Sequence, residues 1–100
     1  GPDVAIDSTD SGVIKASLTK KMKEATHLLV LVGAKSATSK WMNWEIGRAK
    51  EADTRLKLAA ILLATGNAVP TGLKNVGCTW ASSFERDKVV AALKAAKIGY

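Results

Sequence analysis

Glu45 is the residue whose type and setting first raise the question of chemistry. It lies in SKWMNWEIGRAKEA, residues 39–52, where Trp41, Trp44 and Glu45 fall within five positions of a chain that has only five aromatic residues in all. A fixed carboxylate can hold hydroxyl groups and stabilise positive charge that develops in a reaction. On a helix, Trp41, Glu45, Arg48 and Ala52 fall at i, i+4, i+7 and i+11 and share a face, while Met42, Ile46 and Ala49 line the adjacent face toward a sheet. Glu45 then stands at the margin of the core, near the start of its helix. The same spacing also describes a packing helix, with an i,i+3 ion pair between Glu45 and Arg48 and both tryptophans buried. Spacing alone favours that second arrangement.

The elements that must position this helix follow from the rest of the chain. Residues 4–6 are a short apolar stretch followed by the turn formers of residues 7–12, which predicts a strand end and a loop. Ile14, Leu18, Met22 and Ala25 then recur at steps of three or four with lysines between them, so an amphipathic helix is expected from Val13 to near Thr26. Residues 28–32 are apolar at every position, as in a strand covered on both faces of a parallel sheet, and Gly33 ends the run. After a small-residue polar loop at 33–40, Ser39 is placed to cap a helix that starts at Lys40 or Trp41 and runs to about Ala52. Residues 58–63 form a second apolar run of strand length. Residues 65–77 hold too many glycines, asparagines and prolines for regular structure. A short strand near residues 78–80 and a last helix through Val89, Val90, Leu93, Ala96 and Lys97, capped by Ser82 or Ser83, complete the order. Strands alternating with helices predict a single α/β domain built on a parallel sheet, in which ligands sit at the carboxyl ends of the strands. The loop at 33–40 and the first turns of the Glu45 helix lie there.

Composition narrows the functional classes. One hundred residues, 47% hydrophobic and 24% charged, suit one soluble globular domain with a modest core. Neither apolar run, residues 28–32 nor residues 58–63, is long enough to cross a bilayer, and no basic-then-apolar leader opens the chain. A single cysteine, Cys78, rules out an internal disulfide and any multi-cysteine metal site and suits a reducing cytoplasm. The net charge of +6 comes from scattered residues whose only local cluster is Lys20, Lys21 and Lys23, so it does not mark a nucleic-acid surface. It does favour an anionic small ligand. Gly1-Pro2 has the form of a protease-cleavage scar.

The stretch THLLVLVGAKSATSKWMNWEIGRAKEA resembles the middle of a Toll/interleukin-1 receptor (TIR) domain, in particular the TIR-like group of Thoeris-type antiphage systems. That group has an apolar strand ending in Val-Gly, a Ser/Thr-rich loop, and then Ser-x-Trp-x-x-Trp-Glu-Ile-x-x-Ala. Ser39, Trp41, Trp44, Glu45, Ile46 and Ala49 meet this pattern. Downstream, AAILLATGNAVPTGLKNVGCTW is similar to the family's next strand, its Pro-containing loop and a short strand closing on Trp80. Upstream, DVAIDSTDSGVIKASLTKKMKEA is similar to its second strand, Asp-Ser turn and second helix.

The resemblance implies a flavodoxin-like, three-layer α/β fold and a TIR-type function. In TIR domains that cleave NAD, the glutamate matched by Glu45 is catalytic, which makes NAD the expected substrate, with no cofactor and no metal. Trp41 would wall the pocket, and Ser36 or Ser39 would reach ribose or phosphate oxygens. The expected products are nicotinamide with ADP-ribose or a cyclic ADP-ribose isomer, and the expected partners are further copies or other TIR domains, with neither nucleic acid nor membrane. The alternative within the same resemblance is a non-catalytic interaction module. One departure stands out: the family's first strand and helix, which precede the stretch matched by residues 4–6, have no counterpart here. In the strand order 2-1-3-4-5 that first strand lies beside the strand at residues 28–32, so an N-terminally incomplete sheet with an open edge is expected.

Overall fold

Three parallel strands frame the structure, a computed structural model that describes residues 4–100. Residues 1–3, and with them the Gly1-Pro2 pair, lie outside the described residues. The chain opens with helix α1, Ser11–Lys23, continues through strand β1, His27–Val32, and helix α2, Lys40–Ala49, and reaches strand β2, Lys57–Leu62. A segment whose regular part is a short 3-10 turn, Thr71–Leu73, leads to strand β3, Thr79–Ala81, and helix α3, Arg86–Ala95. The strands lie in the order β1-β2-β3. Leu29 is in register with Ala59 and Thr79, and Leu31 with Ile61 and Ala81.

The fold has three layers because β2 is apolar on both faces. Leu58 and Ala60 enter a core with Met22 of α1, Ile46 and Ala49 of α2, and Val30 and Val32 of β1. Ala59 and Ile61 point the other way, against Ala81, Ala92 and Ala96 beneath α3. Alanines on both sides of that second interface let α3 approach the sheet closely. The two helical layers are offset. α2 packs on β1, whereas α3 packs on β3 and β2. Leu29 and Leu31 are therefore left 36% and 41% exposed on the α3 side of β1, and among the described residues the outer edge of β1 has no partner strand.

Several expectations are corrected. Residues 4–6 form no strand; they lie in bends and turns, because the N–H and Oγ of Ser8 both donate to the carbonyl of Ala5 and fold the short apolar stretch back on itself. α1 begins two residues before Val13 and ends at Lys23, with lysines in its last turn, where the helix dipole favours them. α2 stops at Ala49, before Ala52. Its last carbonyls are taken by the Thr54 hydroxyl, 2.8 Å from the oxygen of Arg48, and by the N–H of Leu56, 2.9 Å from that of Ala49. α3 is capped at Glu85, not at Ser82 or Ser83: Ser83 donates to the Glu85 carboxylate at 3.0 Å, and the Glu85 carbonyl accepts the N–H of Val89 at 2.9 Å.

Candidate active site

The loop after β1 is held in place by its own serines. Ser36, 7% exposed, accepts the N–H of Gly33 at 2.7 Å and donates to the carbonyl of Leu31 at 3.2 Å, closing the chain as it leaves the strand. Ser39 caps α2, its Oγ accepting the N–H of Met42 at 3.2 Å, as the sequence predicts. The Asn43 amide donates back to the carbonyls of Ala37 and Ser39, which fixes the loop to the first turn of α2. Asn67, one of the breakers of the 65–77 segment, donates to the carbonyl of Val32 at 3.0 Å and ties the next loop to the same end of the sheet.

Trp41 is buried at 7% exposure, and its indole N–H donates to the carbonyl of Val4 at 2.6 Å. Its ring meets that of Trp44 edge to face, with centroids 5.8 Å apart. The hydrogen-bonding atoms of Ser36 and Trp41 are thus committed to the fold. The Ser39 Oγ accepts from the backbone and keeps its own proton to give.

Glu45 lies on α2, beyond the capped first turn. It is half-buried, and the loss of solvent raises its carboxyl above the ordinary glutamate value. The expected ion pair with Arg48 does not form. Arg48 turns to the reversal after α2, binding both carboxylate oxygens of Asp53, at 2.7 and 2.8 Å, and one oxygen of Glu51 at 2.7 Å. Among the described residues Glu45 makes no salt bridge. It lines a hollow of about 320 Å³ with Met42 and Ile46 of α2 and Leu28, Leu29, Val30 and Leu31 of β1, at the strand's open edge. A smaller hollow of about 180 Å³ adjoins Glu45 from the α1 side, between Leu18, Met22 and His27.

The structure therefore separates the four residues singled out from sequence. Glu45 faces a cavity, while Ser36, Ser39 and Trp41 are not among the residues that line it. Met42 and the β1 edge are the walls that sequence reasoning missed. Their only signal was the open edge expected beside residues 28–32. Two larger hollows, of about 470 and 500 Å³, lie elsewhere, over Trp44 and Arg48 and between β3 and α3. Among the described residues no cluster of three His, Cys, Asp or Glu side chains can hold a metal ion, and no helix is long and apolar enough to cross a membrane.

The model of one protein family, described as Thoeris protein ThsB, TIR-like domain, matches residues 2–67, which is most of the chain and spans α1 to β2 together with Glu45. The chain belongs to this family. No curated protein and no solved structure matches it. The α/β architecture and the parallel strands are those expected of a TIR-like domain, and membership places the chain in a TIR-like role in antiphage defence. β3 and α3 lie beyond the matched residues of the TIR-like domain.

Proposed function

We propose that this TIR-like domain cleaves NAD at the bond between ribose and nicotinamide, with Glu45 as the catalytic carboxylate. The observation that carries the reading is a half-buried carboxylate, without a salt-bridge partner among the described residues, facing a cavity just past a capped helix start. Breaking the glycosidic bond gives the sugar oxocarbenium character, and a fixed carboxylate stabilises that charge and can hold the ribose hydroxyls. Nicotinamide departs as a neutral molecule, taking the bonding pair, so no strong general acid is needed. Water then adds to the sugar carbon and loses a proton, giving ADP-ribose. An internal nucleophile gives a cyclic isomer instead, a product suited to signalling.

In this reading Ser39 uses its free hydroxyl proton on a ribose or phosphate oxygen. Ser36 and Trp41 shape the site by fixing the loop and the helix. The domain works in the cytoplasm, takes NAD as substrate and not as a cofactor, and self-associates or binds other TIR domains. A second reading, an interaction module in which Glu45 is structural, is favoured by the commitment of Ser36 and Trp41 to backbone partners. Incubating the full-length natural protein with NAD at high concentration, beside its Glu45→Ala variant, tests both. Nicotinamide and an ADP-ribose product formed only by the unsubstituted protein support the enzyme. Equal background from the two folded proteins supports the interaction module.

A further inference from the structure

Three carboxylates compete for one guanidinium at the end of α2, and the fold decides which of them goes without. Glu45 and Arg48 stand three positions apart on the helix, where side chains are neighbours with roughly 5–6 Å between their Cβ atoms. Arg48 nevertheless turns to the reversal that follows, where its Nη1 meets Glu51 and Asp53 and its Nη2 meets the second oxygen of Asp53. That reversal is itself fixed. The N–H groups of Thr54 and Arg55 donate to the Glu51 carbonyl, and the Thr54 hydroxyl donates to the Arg48 carbonyl at 2.8 Å, so hydrogen-bonded backbone presents both carboxylates. Lys23, at the end of α1, reaches the same Asp53 at 3.5 Å. Asp53 thus gathers one cation from each of the two helices that border the smaller hollow beside Glu45.

We propose that Glu51 and Asp53 are positioning residues for Glu45: by holding Arg48, they leave the Glu45 carboxylate open to a ligand that offers hydroxyl groups. The functional meaning of this inference rests on the reading of Glu45 as the group that meets the ribose of NAD; the competition for Arg48 does not. A guanidinium seated on Glu45 would occupy both of its oxygens and hold its carboxyl down. Burial instead holds that carboxyl above the ordinary glutamate value. The other ionisable side chains on the smaller hollow do not take the place of Arg48. His27 of β1 is turned to the Thr26 hydroxyl and the Leu93 carbonyl, and Lys21 of α1 makes no salt bridge among the described residues.

A pair that merely fastens the end of α2 would behave differently. Its loss would loosen the helix end, and removing Arg48 as well would repair nothing. In the competition, by contrast, the damage comes from the freed guanidinium, so taking that side chain away restores the site.

The test uses the full-length natural protein, its release variant Glu51→Gln/Asp53→Asn, and the release variant with Arg48→Gln added. Both carboxylates are about half exposed, and circular dichroism checks that the variants fold. Nitrogen-15 NMR follows the Arg48 guanidinium against pH, carbon-13 NMR follows the Glu45 carboxyl, and nicotinamide release from NAD is measured in parallel. The expected result is an Arg48 signal that titrates together with Glu45 in the release variant and not in the unsubstituted protein. Nicotinamide release falls several-fold in the release variant and recovers when Arg48→Gln is added, although the loss of two negative charges by itself favours an anionic substrate. An Arg48 signal in the release variant that does not follow Glu45 overturns the proposal. So does release that stays lost after Arg48→Gln, the mark of a fastening alone. Joint titration in a protein that releases no nicotinamide in any form upholds the competition for Arg48 and overturns the NAD reading instead.

Discussion

Arg48 donates both terminal nitrogens to the Asp53 carboxylate, at 2.7 and 2.8 Å, and this pairing takes from Glu45 the cation that helix spacing would have given it. A planar guanidinium binds a carboxylate through two parallel hydrogen bonds, a geometry that a helical i,i+3 neighbour does not easily offer. Asp53, just past the end of α2, meets that fork face on. The result is one satisfied ion pair at the helix end and one carboxylate without a salt bridge at the cavity.

The pair has a pH signature. Hydrogen bonds from Arg48 hold the Asp53 carboxyl well below the usual carboxylate range, with the charge of Arg48 adding to the effect. A carboxylate depressed on folding adds stability that is present above its unfolded value of about 4 and is lost as the pH falls further. Urea melts from pH 7 to pH 2 should show this loss in the unsubstituted protein and a smaller one in Asp53→Asn. The difference should be modest, because Asp53 is about half exposed and solvent screens the pair.

Glu45 should behave in the opposite sense. Burial raises its folded value, so its charged form costs stability at neutral pH, and the cost disappears as the pH falls through the folded value to the unfolded one. Glu45→Gln is expected to melt at a higher temperature than the unsubstituted protein at pH 7, with the gain vanishing below about pH 4. A residue kept at the expense of stability is the pattern of a functional site. Thermal melts of both proteins across that range check the prediction.

Gly72 lies where the segment after β2 crosses α2. A Cβ added there would sit 2.8 Å from Cγ2 of Ile46, a fully buried side chain. Gly72→Ala should cost about 1–3 kcal/mol through overpacking, measured by denaturant titration.

Trp41→Phe separates packing from ligand contact. It removes the donor to the Val4 carbonyl and should lower stability by about 1 kcal/mol, with some further loss from the smaller ring. Nicotinamide release per folded molecule should persist, since Trp41 does not line the cavity that holds Glu45. Abolished release in a variant of unchanged fold would instead make the indole a substrate contact.

The parts of this fold legible in the sequence are those written in local pattern. Continuous apolar runs located β1 and β2, and Ser39 before a periodic stretch located the start of α2. The apolar residues 4–6 have the composition of a strand yet form turns, because three such residues carry no periodicity and the turn formers beside them decide the outcome. The early end of α2 depends on Thr54 and Leu56 reaching back to its carbonyls. Of the four residues that the sequence singles out, Glu45 alone lines the hollow at the β1 edge. The bond from Trp41 to Val4, from Asn67 to Val32, and from the Tyr100 hydroxyl to the Leu56 carbonyl at 2.7 Å join distant parts of the chain, and no spacing rule reports them.

The central claim, that the Glu45 carboxylate acts on substrate, is tested most directly by a near-isosteric change. Nicotinamide release from NAD should be measured for the full-length natural protein and its Glu45→Gln variant at matched, assembled concentrations, with circular dichroism showing both folded. Release by the first and its loss in the second is the predicted result. Equal release from both, or none from either under those conditions, would contradict it.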